Sequence, residues 1–354
     1  MKTIMNKSKV DFSKQPMFLG EELNIQRYDK FSDEYFYKFL KQQLGAYWVP
    51  NEVDLSLDGT QFEDLSDVEK RVFTLNLKYQ ILLDSTAARG LPYLAQYVST
   101  PELEAAFNAW TFFETIHSLS YTYLIQNVYP NPTEVLDSVM DDEHIVARSQ
   151  SLTRCYDSLV NDLGENDYDL RKKIYLTMVS VNILESIRFV VSFACTYSFA
   201  ETGRLEGSAK IIQLIERDER SHMAASTVIL NKMANEEFEG FMDVAVDCKS
   251  EVLDMFREAA EEEIKWSEYL FKDGGILGLN NEVMTDYIHY LVNRRLKALK
   301  LTPLFEDIDN PIPWVDAFGN SKSVQVANME TEGTSYKVGA FKNDIDEVDF
   351  GMDF

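Results

Sequence analysis

Hydrophobic positions recur every three or four residues along most of the chain, which is the spacing of amphipathic helices, and strand-like alternation is scarce. Ser66, with Glu69 three residues later, forms a capping-box pattern at the start of one long helix, and Gly90 is a good stop for that helix. Pro101 opens the next long helix, which we expect to end before Pro130. The pattern predicts an all-α chain with helices long enough for a bundle.

The same pattern divides the chain into three parts. Residues 1–30 are irregular and predict an N-terminal arm, whereas residues 31–302 carry the helical periodicity. Residues 303–354 predict a non-helical, largely flexible tail, because they are polar and acidic with only isolated apolar residues. Such a tail is either a disordered terminus or a peptide that docks into a partner's groove. The terminal "DEVDFGMDF" favours docking.

One stretch, residues 174–200, is long and apolar enough to span a bilayer. Its only charged residues are Glu185 and Arg188, and both lie near its middle. Charges at that depth are costly in lipid, and we find no second such segment. We therefore expect a helix buried in a soluble bundle and no membrane partner.

Charge and cysteine usage narrow the class of protein further. The chain has 354 residues with 59 acidic and 34 basic side chains, which gives a net charge of −25. Such an acidic chain is not expected to bind nucleic acid through a basic face. The three cysteines are far apart and form no CxxC pair, which fits a reducing cytosol. The N-terminus shows no apolar signal segment, so we expect a cytoplasmic protein.

Two Glu-x-x-His patterns place an acid and an imidazole on the same helix face. These pairs are Glu114 with His117 and Glu219 with His222. The spacing alone is not decisive, because His144 and His289 also follow an acid at three positions. His144 lies in a charged run and His289 near a helix end, whereas His117 lies in a largely apolar helix. A charged glutamate buried there would need a counter-charge.

A lone acid precedes each Glu-x-x-His pair. Asp84 lies thirty positions before Glu114, and Glu185 lies thirty-four positions before Glu219, each in an apolar stretch. The chain thus supplies four carboxylates and two imidazoles, and four carboxylates cannot share a dry core without cations. This is the ligand pattern of ferritin-like bundles with a carboxylate-bridged dimetal site. Mixed oxygen and nitrogen ligands suit iron or manganese.

Tyr121 follows His117 by one helical turn and therefore lies on the same side of the helix. It is either a core tyrosine whose hydroxyl finds a local acceptor or a tyrosine that an oxygen-activated metal pair oxidises. The spacing does not decide between these two.

Several segments together carry a resemblance to a known family. They are "YWVPNEVDLS", "NLKYQILLDS", "FFETIHSLSYTYLIQN", "SVNILESIRFVVSFAC", "AKIIQLIERDERSH", "LFKDGGILGLN" and "NPIPW". In this order they resemble the small, radical-generating subunit of class I ribonucleotide reductase over nearly the whole chain.

The resemblance implies a role for individual residues. The metal ligands of the family match Asp84, Glu114, His117, Glu185, Glu219 and His222. Its radical-bearing tyrosine matches Tyr121, and its apolar radical pocket matches Phe189, Phe193 and Ile215. Its radical-transfer residues match Trp48, Asp218 and Tyr336. The resemblance further implies a homodimer and a C-terminal tail that binds the large subunit. It also implies two metal ions per chain, with iron as the expected metal and manganese as the alternative.

Two positions depart from the family pattern, namely Phe113 before the first pair and Leu119 after it. Phe113 could alter access to the metals. Two other functions share the bundle: an oxygen-activating hydroxylase or desaturase, and a ferritin-like storage protein. The "TSYKVG" tail and the aspartate Asp84 as first ligand favour the reductase subunit, which would generate a tyrosyl radical for ribonucleotide reduction.

Overall fold

The computed structural model describes residues 4–161 and 166–318. Within these ranges the chain forms thirteen α-helices and, apart from two isolated bridges, no β structure. The helices are α1 Glu34–Gly45, α2 Asp58–Glu63, α3 Asp67–Ala95, α4 Pro101–Val128, α5 Pro132–Asp137, α6 Glu143–Asn161, α7 Asp167–Ile183, α8 Phe189–Ala200, α9 Glu206–Asn235, α10 Met242–Asp247, α11 Lys249–Leu270, α12 Asn281–Ala298 and α13 Val315–Phe318. The predicted all-α class is confirmed.

The long helices pack side by side around one hydrophobic core. Helix α3 packs along α4, and α9 packs against both α7 and α8. Helix α4 also contacts α9, which brings these elements together in a bundle. The two helices that carry the Glu-x-x-His pairs are therefore neighbours in the core.

The start of α3 agrees with the sequence prediction, but its end does not. Ser66 accepts from the backbone N–H of Glu69, and the Glu69 side chain accepts in return, so the capping box is present. The helix continues past Gly90 and through Pro92 to Ala95, so the predicted stop at Gly90 is wrong. A Cβ on Gly90 would lie 2.2 Å from the ring of Tyr156. This glycine therefore permits close packing of α3 on α6.

The apolar stretch of the sequence becomes one continuous helical run, Asp167–Ala200. By length and composition alone this run could cross a membrane, but 89% of its most apolar window is buried inside the bundle. The core helix of a soluble protein passes the same test, as we expected here. A π-helical turn, Leu184–Arg188, interrupts the run between α7 and α8.

The structure divides the stretch of residues 133–160 between α5 and α6, and the stretch of residues 240–272 between α10 and α11. From residue 4 to the start of α1 the chain is irregular apart from a 3-10 turn, Phe12–Lys14, and it buries Phe12, Met17 and Phe18. Within residues 303–318, the part of the predicted tail that the structure describes, one short helix is present, α13, and Phe318 in it stacks on Tyr197.

Candidate metal centre

Four neighbouring elements supply the six side chains that the sequence singled out. Helix α3 carries Asp84, α4 carries Glu114 and His117, the π turn carries Glu185, and α9 carries Glu219 and His222. All six are at most 1% exposed. The structure thus brings together in the core residues that lie up to 138 positions apart in the chain, from Asp84 to His222.

The six residues form two overlapping groups, each with ligand atoms that lie within 4.8 Å of one another. One group is Asp84, Glu114, His117 and Glu219; the other is Glu114, Glu185, Glu219 and His222. Because Glu114 and Glu219 belong to both groups, they can bridge two metal positions. Each position would then have one further carboxylate and one imidazole.

Both imidazoles turn their Nδ1 atoms toward the carboxylates. His117 Nδ1 lies 3.0 Å from Glu219 Oε1, 3.4 Å from Glu114 Oε2 and 3.6 Å from Asp84 Oδ1. His222 Nδ1 lies 2.9 Å from Glu219 Oε2 and 3.4 Å from Glu114 Oε1. Each histidine therefore offers one nitrogen to the centre, as a neutral metal-binding imidazole does.

Several carboxylate oxygens at this centre have no hydrogen-bond donor among the described residues. Both oxygens of Asp84 and both of Glu185 lack a partner, as does one oxygen each of Glu114 and Glu219. Unpaired buried carboxylates are costly, and divalent cations offset that cost. The donor set of oxygen and imidazole nitrogen suits iron or manganese. The residues present therefore fit two metal ions.

The pKa values show how strongly the groups interact. Burial raises the pKa of Asp84, Glu114 and Glu185, and repulsion from Glu219 adds to this. Burial also works against ionisation of Glu219, but attraction to the facing His117 outweighs it, so the pKa of Glu219 falls below its usual range. The charge of Glu219 in turn helps to raise the pKa of His117, although burial opposes this.

Glu185 projects from the π turn and not from a regular α-helix. Single π turns within α-helices are frequent at functional sites, because the wider turn redirects the side chains that it carries. The sequence pattern identified Glu185 as a lone buried acid but gave no signal of the π turn.

Trp110 is a residue of the site that the sequence interpretation missed. Its Nε1 donates a 2.8 Å hydrogen bond to Glu114 Oε1, and its ring stacks on His222 with 4.6 Å between ring centroids. It thereby orients one ligand of each type. Its position four residues before Glu114, on the same helix face, was the signal that could have revealed it.

A hydrogen-bonded chain leads from the centre to Trp48. Trp48 is fully buried and donates from Nε1 to Asp218 Oδ2 over 2.7 Å. His117 Nε2 lies 3.4 Å from the same oxygen. With a metal ion bound at Nδ1, Nε2 would carry the ring proton and donate it to Asp218. Arg217 also donates to Asp218, through Nη2 at 3.1 Å.

Tyr121 is fully buried on α4. Burial, together with the nearby Asp84 carboxylate, holds the pKa of its hydroxyl well above its usual range. The three predicted pocket residues, Phe189, Phe193 and Ile215, are also fully buried, and the two phenylalanine rings stack at 5.8 Å.

Three other residues that the sequence singled out do not belong to this ligand set. Tyr336 lies outside the described residues. Phe113 is buried in the core, 2% exposed, whereas Leu119 is 57% exposed on the outer side of α4. Phe113 is therefore part of the hydrophobic core, whereas Leu119 is not.

The chain is a helical bundle, and its buried core offers two carboxylate-bridged metal positions. These features define the class of ferritin-like dimetal carboxylate proteins. The family model for the small chain of ribonucleotide reductase matches residues 26–311. The chain belongs to this family.

Individual relatives agree with this assignment. The chain is 42% identical to the ribonucleoside-diphosphate reductase subunit beta of Haemophilus influenzae, over 98% of each chain. The solved structure of a ribonucleotide reductase R2 subunit from Clostridium botulinum is 29% identical, with a TM-score of 0.82 over 90% of this chain and 98% of that one. A dimanganese(II) protein of Streptococcus sanguinis, 20% identical with a TM-score of 0.70 over 84% of this chain and 99% of that one, shares the fold.

Proposed function

We propose that this chain is the small subunit of a ribonucleoside-diphosphate reductase and generates a tyrosyl radical on Tyr121 for the large subunit. The observation that carries the proposal is the pair of overlapping ligand groups, with Tyr121 buried beside Asp84. Its homologues are named as the same subunit over nearly their whole length, which supports it.

Asp84, Glu114, His117, Glu185, Glu219 and His222 would hold two metal ions. When bound, these ions supply the electrons that reduce oxygen and the oxidising power that acts on a neighbouring side chain. We propose iron, with manganese as the alternative. The ligand atoms suit either metal, and one solved structure with this fold is described as a dimanganese(II) form.

Tyr121 holds its phenolic proton in the resting protein, because its pKa is well above the usual range. Loss of an electron from this ring must therefore be accompanied by loss of the proton from the hydroxyl oxygen. The Asp84 carboxylate lies close enough to help raise the pKa of that hydroxyl, so we propose Asp84 as the first proton acceptor. The buried phenylalanines and Ile215 would keep water and reductants away from the ring.

The path out of the site follows the hydrogen bonds from His117 through Asp218 to Trp48. We propose that Tyr336, in the C-terminal tail, continues this path to the large subunit and that residues 303–354 dock there. Residues 1–30 and 31–302 would serve as the arm and the bundle that holds the centre.

We further propose that the chain is a homodimer. Exposed apolar side chains on α4 and just after α1 support this: Phe112 and Leu119 are 51% and 57% exposed, and Tyr47 stacks on Phe112. An uncovered apolar surface of this kind is typical of an interface. We place the protein in the cytoplasm, where the three free cysteines would stay reduced.

The test combines the metal-loaded chain with a class I large subunit and a ribonucleoside diphosphate. We expect deoxyribonucleotide formation that requires both subunits, with about two metal ions per small-subunit chain. Oxidation of an added hydrocarbon by this chain alone would favour the hydroxylase hypothesis. Uptake of many ions per chain with mineral formation would favour storage. Either outcome without nucleotide reduction would contradict the proposal.

A further inference from the structure

The π turn that carries Glu185 ends at a buried arginine. Arg188 is 3% exposed and lies three residues after Glu185. Its Nη2 donates to Ser151 Oγ over 2.7 Å and forms an ion pair with Glu262, while Nη1 donates to Glu263 Oε1 over 3.2 Å. Partners from α6 and α11 thus fix the planar guanidinium from two sides.

Glu263, on the far side of this ion-pair cluster, has further partners. Glu263 also pairs with Arg148, and it accepts a 2.8 Å hydrogen bond from the hydroxyl of Tyr79 on α3. The guanidinium of Arg148 lies over the Tyr79 ring at 3.5 Å. The anchor of Arg188 therefore belongs to a rigid core network, and displacing Arg188 would displace the π turn.

The two metal positions depend on this turn unequally. Glu185 belongs only to the group with Glu114, Glu219 and His222, whereas Asp84 and His117 complete the other group without it. A change in the turn should therefore affect one position and spare the other.

We propose that Arg188 is a positioning residue: its ion pairs with Glu262 and Glu263 fix the π turn so that Glu185 can complete the second metal position. This inference rests on the dimetal site of the proposed function. The cluster borders a cleft of about 500 Å³ between α6, α7 and α11, which Ser151, Ile183 and Arg188 help to line. The Glu262 side chain is 21% exposed, so it can be changed with less risk to folding than Arg188.

The experiment is an anaerobic titration of the full-length chain with Fe(II) or Mn(II), which resolves the affinity of each ion. The variants are Arg188→Gln and Glu262→Gln, and Arg188→Lys tests partial rescue. The matched control is Arg154→Gln. Arg154 lines the same cleft and pairs with Glu258 at 2.8 Å, but it is largely exposed, and this pairing does not involve the π turn.

We expect the wild type and Arg154→Gln to bind two ions alike. In Arg188→Gln and Glu262→Gln the first ion should bind normally and the second roughly 10- to 100-fold more weakly. Arg188→Lys should bind the second ion with intermediate affinity, because lysine keeps the positive charge but lacks the planar, two-pronged guanidinium. The rise in unfolding temperature on saturation with metal should shrink in the same variants.

Equal weakening of both ions would overturn the proposal, because a merely structural role predicts it. Unchanged binding of both ions would overturn it as well. If Arg188→Gln does not fold, Glu262→Gln decides by the same criteria. A wild-type chain that fails to bind two ions would instead contradict the proposed function itself, and the inference with it.

Discussion

The hydrogen bond from Trp110 to Glu114 allows a quantitative test of how the site is oriented. Trp110→Phe keeps an aromatic ring beside His222 but removes the donor 2.8 Å from Glu114 Oε1. A hydrogen bond to a charged group contributes about 1.5–3 kcal/mol. If this hydrogen bond holds the bridging ligand Glu114 in place, the metal affinity of Trp110→Phe should be roughly 10- to 100-fold lower, which corresponds to about 1.4–2.8 kcal/mol.

The matched control is Trp266→Phe. Trp266 is also buried, at 3% exposure, but its Nε1 makes no hydrogen bond within the described residues. Both substitutions remove the same atoms, so the loss of packing is comparable and the difference between them isolates the hydrogen bond. The assay is equilibrium metal titration under anaerobic conditions. Equal affinities in the two variants would refute the argument that Trp110 orients Glu114.

Three further outcomes follow from particular contacts. Gly90→Ala should lower the free energy of unfolding, measured by urea titration, by roughly 1–3 kcal/mol, because the new methyl group meets the Tyr156 ring. Gly45→Ala is the control: nothing lies within 4 Å of the new methyl group, so this variant should be neutral or slightly stabilising. Trp48→Phe should keep a tyrosyl radical signal but lose most nucleotide reduction with the large subunit, because the hydrogen bond to Asp218 is removed; full activity would contradict the proposed path. Three site carboxylates and one imidazole have raised pKa values, so their contribution to stability is present at low pH and is lost as pH rises through those values. The metal-free protein should therefore melt at lower temperature as pH rises from about 5 to about 8, and metal should remove this dependence; a rise in melting temperature would contradict the assignment of these shifts.

Most of the fold could be predicted because helical periodicity and end signals are local. Ser66 and Pro101 begin helices as the pattern indicates. Gly90 shows the limit of such rules: glycine favours a helix end locally, but here the contact with Tyr156 on another helix requires it inside α3. Sequence spacing cannot reveal a partner sixty-six positions away.

The candidate site likewise combines features that the sequence reveals with features that only the structure reveals. The spacing of each Glu-x-x-His pair and the apolar surroundings of Asp84 and Glu185 were visible in the sequence, and the structure brings these side chains together. The π turn was not visible, because it depends on backbone hydrogen bonding and not on side-chain periodicity. The pairing of Arg188 with Glu262, across 74 positions, was equally hidden.

The central claim is that the metal pair oxidises Tyr121, and electron paramagnetic resonance tests it most directly. The full-length chain is loaded anaerobically with iron or manganese, exposed to oxygen and measured beside Tyr121→Phe. We predict a tyrosyl radical signal in the wild type and none in the variant, with about two metal ions bound in both. A wild-type chain that binds two ions but never yields this signal with either metal, or a variant that retains it, would contradict the account.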